Sequence, residues 1–291
     1  MKASFREMLS TLAASTRNSM WDELLSLHRE ELLKQALEDL TNDKDVLAIY
    51  LNGSLAKGNA DWYSDIDLHI IVAPGRKGEF IKAKASRSER WGDVLFYEDW
   101  DPSSPVIVTH YTSFVKVDSW YHEPSEVSPS IWLKGLKVLF DPHNLISEII
   151  MKSTEFNYAP TSKEVIFWRT KVLAFAHETY RAVMREELYY ALANIDRIRW
   201  LIASGWYMEK DEHLDSPYGV WSKIEGKRSR LHEWQLKALA NWECSRNNME
   251  ILATLSSIFP EYLRLNRTLS NKVGLPADEE SLIPILDMVS L

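Results

Sequence analysis

Two aspartates, Asp65 and Asp67, stand just before an apolar run, Leu68 to Val72. On a strand, residues two apart face the same side, with Cα atoms roughly 6–7 Å apart. Like charges that close repel unless a cation lies between them or one takes up a proton. Mg²⁺ suits such a pair, because it takes hard oxygen ligands and is usually held by one or two carboxylates plus substrate phosphates. Upstream, Gly53-Ser54 follows another apolar run, Val46 to Leu51. A glycine after a strand lets the backbone approach closely, and the start of a following helix offers free N–H groups to an anion. The stretch therefore predicts strand, Gly-Ser turn, one or two helical turns and strand, with a phosphate cradle facing a metal-binding pair.

Gly53-Ser54, ten intervening residues and Asp65-x-Asp67 resemble the signature of the polymerase-beta-like nucleotidyltransferases. The local form, GSLAKG followed by SDIDL, is most similar to their antibiotic-modifying branch, the aminoglycoside, streptomycin and lincosamide nucleotidyltransferases. A lone D-x-D is common, so the weight lies in the coincidence of the two strands, the Gly-Ser, the spacing and the pair.

The elements that must position these residues follow along the chain. Residues 4–40 carry Phe5, Met8 and Leu9, then Leu24, Leu25, Leu32, Leu33 and Leu37, at helical spacing. Ala73-Pro74-Gly75 is a turn, and residues 77–90 predict a short exposed helix. Further strands are expected at Val94 to Glu98, Val106 to His110, Phe114 to Tyr121 and Leu136 to Phe140. The fold predicted is a mixed five-stranded sheet, with Leu136 to Phe140 a candidate last strand. Thr161-x-x-Glu164 reads as a capping box opening a helix on Val165, Trp168, Val172, Phe175, Thr179 and Val183. A second helix is expected from Glu187 to Ser204, stopped by Gly205, and a long one from Arg228 to Ile258, with Pro260 opening another. Residues 209–227 read as loop. The fold class is α+β: a nucleotidyltransferase sheet domain over 1–153, then a helical bundle over 160–291.

The resemblance assigns roles. Gly53 and Ser54 would hold the β- and γ-phosphates of ATP or another NTP, with Lys57 and Ser64 beside them. Asp65 and Asp67 would hold Mg²⁺. The family brings a third carboxylate on a later strand, and Asp118 in Phe114-Val115-Lys116-Val117-Asp118 takes that position, as ligand of a second ion or as general base. Glu98 and Asp99 are its substitutes. The helical half closes the substrate cleft in such enzymes and can supply an acid near the acceptor hydroxyl; Glu187 is the candidate here. His69 lies on the same strand face as Asp67 and reads as a sheet-face histidine. The implied activity is transfer of a nucleoside monophosphate, AMP in the first instance, to a hydroxyl of a small molecule, releasing pyrophosphate. Protein modification, a toxin–antitoxin-type module and a non-catalytic nucleotide binder are the alternatives. The Arg-to-His spacings of the bundle, Arg228 to His232 and Arg169 to His177, fit the second poorly.

A net charge of −8 argues against nucleic acid as partner, which needs a basic footprint, and suits a cationic acceptor. The single cysteine, Cys244, allows no internal disulfide and points to a reducing compartment. No apolar run approaches a membrane span, and the first residues lack a secretory apolar core, so a cytoplasmic location is expected. The eight histidines show no zinc-protease spacing, and no G-x-S-x-G or Walker sequence occurs.

Overall fold

The apolar runs Val46–Leu51 and Ile66–Val72 form central strands because they are buried on both faces. In the computed structural model, which describes residues 14–214 and 216–290 and the side chains of the first helix from Leu24 on, six strands make one mixed sheet. They are β1 (Val46–Leu51), β2 (Ile66–Val72), β3 (Val94–Glu98), β4 (Val106–Tyr111), β5 (Lys116–His122) and β6 (Lys137–Phe140), in the order β3-β4-β5-β2-β1-β6. β2 pairs antiparallel with β1 and parallel with β5; the other pairs are antiparallel. The sheet thus has six strands where five were expected. β5 starts two residues later than predicted, since Phe114 adopts a left-handed φ of 66° in the turn after β4.

One face buries Ile49, Leu51, Leu68, Ile70 and Tyr121 under helix α1 (Ala14–Thr41). The five-residue α2 (Gly53–Lys57) joins β1 to β2, and α3 (Lys77–Ser88) adds Phe80 to the same core. The predicted positions Phe5, Met8 and Leu9 lie outside the described residues. α3 is less exposed than its charges suggest. The buried Lys84 ammonium pairs with Asp99 at 2.6 Å, and the buried Arg87 guanidinium with Asp43 at 2.7 Å and Asp39 at 3.3 Å. The opposite face gathers Ala48, Tyr50 and Ile71 over Ile146 of α4 (Leu145–Ser153).

The first unit ends at Asn157 and the second, wholly helical, begins at Tyr158. The Thr161 capping box is made, with Thr161 accepting from Glu164 N–H and Glu164 accepting from Thr161 N–H, and opens α5 (Ser162–Met184). α6 (Leu188–Glu209) runs on past Gly205, which is not a stop. A Cβ there would lie 3.1 Å from Leu265 and from the Trp168 indole nitrogen, so Gly205 lets helices approach. The predicted helix from Arg228 to Ile258 is two. α7 (Glu233–Asn241) ends, and Asn247 caps a new helix, α8 (Asn248–Lys272), by accepting from the N–H groups of Met249 and Glu250. α8 continues through Pro260 rather than restarting there. Ile258, Phe259, Tyr262, Leu265 and Leu269 are buried on both sides of the proline, and that packing offsets the roughly 3 kcal/mol that an interior proline costs. α9 (Glu279–Asp287) closes the unit. Among the described residues, no helix is long and apolar enough to cross a membrane.

Candidate active site

The turn after β1 is built around a missing side chain. Asn52 accepts from Gly53 N–H at 2.8 Å, and its own N–H donates to Asp67 O at 3.0 Å. Gly53 sits at φ +64°, a left-handed conformation that glycine adopts without steric cost. A Cβ on Gly53 would fall 1.8 Å from Asp67 Oδ2. The carboxylate of the second aspartate therefore lies directly over the glycine. Ser54 is buried and its hydroxyl has no hydrogen-bond partner among the described residues. Lys57 lies exposed in the last turn of α2.

Register brings in the third carboxylate. Asp67 of β2 is paired with Asp118 of β5, so both stand on one face of the sheet. Carboxylate oxygens of Asp65, Asp67 and Asp118 all lie within 4.8 Å of one another. Glu98 and Asp99 are spent elsewhere. Glu98 takes His110 Nε2 at 2.6 Å, and Asp99 pairs with Lys84.

Lys116 completes the cluster. It lies two residues before Asp118 on the same face, and its ammonium is 2.8 Å from Asp65 Oδ2 and 3.2 Å from Asp118 Oδ2. Burial works against the charge of Lys116, but the two carboxylates outweigh it and push its pKa up. Burial also raises Asp118. The Lys116 ammonium opposes that shift, and the negative charges of Asp65 and Glu98 add to it. Asp118 Oδ1 is buried without a partner.

The loop before Asp65 is held from α1. Arg29 Nη1 donates to the carbonyls of Asp61, Trp62 and Ser64 at 2.9, 3.1 and 3.0 Å. The Ser64 hydroxyl is committed to this loop. It donates to Asp61 Oδ1 at 3.0 Å and accepts from Asp61 N–H at 2.9 Å, which takes it away from the phosphate role expected of it. Glu187 caps the start of α6 in the helical unit, exposed and without a capping hydrogen bond. His69 is a sheet-face residue. It stacks on Tyr50 at 4.8 Å, and its Nδ1 lies 3.0 Å from His122 Nε2. Sequence reasoning missed Lys116 and Arg29. Lys116 carried a signal, its shared face with Asp118; Arg29 carried none.

The donor set fits a hard divalent cation with a phosphate beside it. Three carboxylates converge, one with a buried oxygen that has no partner among the described residues, next to the buried Ser54 hydroxyl and a left-handed glycine under the Asp67 carboxylate. A model of the streptomycin adenylyltransferase family matches residues 27–214, more than half of the chain and all of this constellation. The chain belongs to the streptomycin adenylyltransferase family. It is accordingly a nucleotidyltransferase. No curated protein sequence matches the chain. Among solved structures, an aminoglycoside 6-adenyltransferase from Bacillus subtilis is similar at 13% identity, over 90% of this chain and 98% of that one, with a TM-score of 0.42. A nucleotidyltransferase-like protein from Exiguobacterium sibiricum 255-15 is similar at 12% identity, over 81% and 75%, with a TM-score of 0.42.

Proposed function

We propose that the protein transfers AMP from ATP to a hydroxyl of a small, cationic molecule of the aminoglycoside or lincosamide type, releasing pyrophosphate. The observation that carries this reading is the row of Asp65, Asp67 and Asp118 beside the Gly53-Ser54 turn. The acceptor oxygen attacks the α-phosphorus, a new P–O bond forms, the α–β anhydride bond breaks, and pyrophosphate leaves with the electron pair. Asp65, Asp67 and Asp118 would hold Mg²⁺, which when bound neutralises the triphosphate and polarises the α-phosphate. Gly53 and Ser54 would hold the β- and γ-phosphates, Ser54 through its hydroxyl, which has no partner among the described residues. Asp118, whose pKa is raised chiefly by burial, would take the proton of the acceptor hydroxyl. Lys57, in the last turn of α2, is offered to the phosphate tail, and Glu187 to the acceptor.

The test is Mg²⁺-dependent pyrophosphate release from each nucleoside triphosphate against a panel of aminoglycosides and lincosamides. Acceptor-dependent release is expected with ATP, and Asp65→Asn is expected to abolish it while leaving the circular dichroism spectrum intact. Turnover retained in Asp65→Asn would sink the mechanism.

A further inference from the structure

Two-ion phosphoryl chemistry places two divalent cations about 3.5–4 Å apart, clamping the attacking and leaving oxygens. The resemblance to polymerase-beta-like enzymes implies such a pair here. We propose instead that Lys116 takes the place of one of the two ions, so that the site holds a single divalent cation and an ammonium. The proposal rests on the reading of the aspartate row as the metal site.

The position of Lys116 follows from the sheet. Ile66 is paired with Val117 and Asp67 with Asp118, so one step back along both strands sets Lys116 opposite Asp65. The Asp65–Lys116 side-chain contact therefore lies next to the cross-strand pair Asp67–Asp118. Lys116 is also paired with His110 of β4, which fixes its backbone within the sheet. Its ammonium lies 2.8 Å from Asp65 Oδ2 and 3.2 Å from Asp118 Oδ2. The ammonium thus already bridges Asp65 to Asp118. Asp67 has its carboxylate over Gly53, beside the Gly-Ser turn.

Charge points the same way. Three carboxylates carry −3. The ammonium reduces the charge of the protein's own groups to −2, before the triphosphate adds its own. A second divalent ion would have to enter beside a fixed positive charge sharing its ligands, where like charges a few ångströms apart repel strongly. Lysine suits the position because its ammonium is a compact point charge. In this arrangement the Asp65–Asp118 side is neutralised by the chain itself, and the remaining ion position belongs to Asp65 and Asp67 with the triphosphate.

The experiment counts Mn²⁺ ions bound per full-length chain in the presence of saturating α,β-methylene-ATP, by calorimetry and by electron paramagnetic resonance. One ion is expected in the wild type and in Lys116→Arg, which keeps the cation. Two are expected in Lys116→Met, with the exchange-coupled spectrum of a close pair. Two ions in the wild type would overturn the proposal without reference to any variant. So would a single ion in a folded Lys116→Met. Asp67→Asn separates the two levels of inference: it should lose the ion held by the protein. If it binds Mn²⁺ as the wild type does, the aspartate row is not the metal site, and the ion count falls with it.

Discussion

The histidine beside the aspartate row gives the site's sheet face a titration of its own. His69 stacks on Tyr50, Trp120 and His122 with ring planes within 10° of parallel. Burial, with His122 adding to it, pulls its pKa down to about 3. An unfolded histidine titrates near 6.5, so between those values the unfolded chain takes a proton that the folded chain refuses. Stability is therefore full above about pH 6.5 and falls as the pH drops towards 3. Between pH 7 and 5 this one group should cost about 2 kcal/mol. Urea unfolding of wild type and His69→Gln at both pH values checks it: the variant should lose about 2 kcal/mol less on acidification, and equal losses would mean that His69 protonates freely when folded. At this scale the site was legible to unequal degrees. Gly53, Ser54, Asp65 and Asp67 could be read from the sequence because they lie within one short stretch and their chemistry is local. Asp118 required a guess at which later strand pairs with β2. The exclusion of Glu98 and Asp99 depended on partners, His110 and Lys84, that no spacing reveals.

At the scale of elements, the geometry of Asp65 is set from α1. Three carbonyls of the loop between Asp61 and Ser64 converge on one guanidinium nitrogen of Arg29. Displacing a reacting group by an ångström can cost on the order of a hundredfold in rate. Arg29→Ala should thus lower turnover by about ten- to a hundredfold, with a stability loss of only about 2 kcal/mol from hydrogen bonds to a charged group. Paired measurements of kcat and thermal midpoint decide it; unchanged turnover would show that the loop holds itself. Most elements were visible as apolar periodicity. What was missed has tertiary causes. The split between α7 and α8 depends on the Asn247 cap, a polar residue in a stretch that is otherwise helical in pattern. The continuation through Gly205 and Pro260 depends on what packs against each.

At the scale of the whole molecule, charge sets the conditions for binding. The chain carries −8, and a nucleoside triphosphate is itself strongly anionic. Without a divalent cation the two repel, most strongly at low ionic strength. Binding of a fluorescent ATP analogue should weaken by about tenfold or more when Mg²⁺ is replaced by EDTA, the free energy of roughly one close like-charge contact in bulk water. Equal affinity in both buffers would mean that cations of the chain, and no metal, neutralise the phosphates. The three core clusters carry a different consequence. One, around Trp168, Trp206 and Tyr262, draws only on residues after Tyr158; the two on either side of the sheet draw only on residues before it. A genetic crossover between the codons for Asn157 and Tyr158 would cut through none of them. Descent by recombination could therefore exchange the helical half as a block, while the strands that carry the aspartates are inherited unchanged.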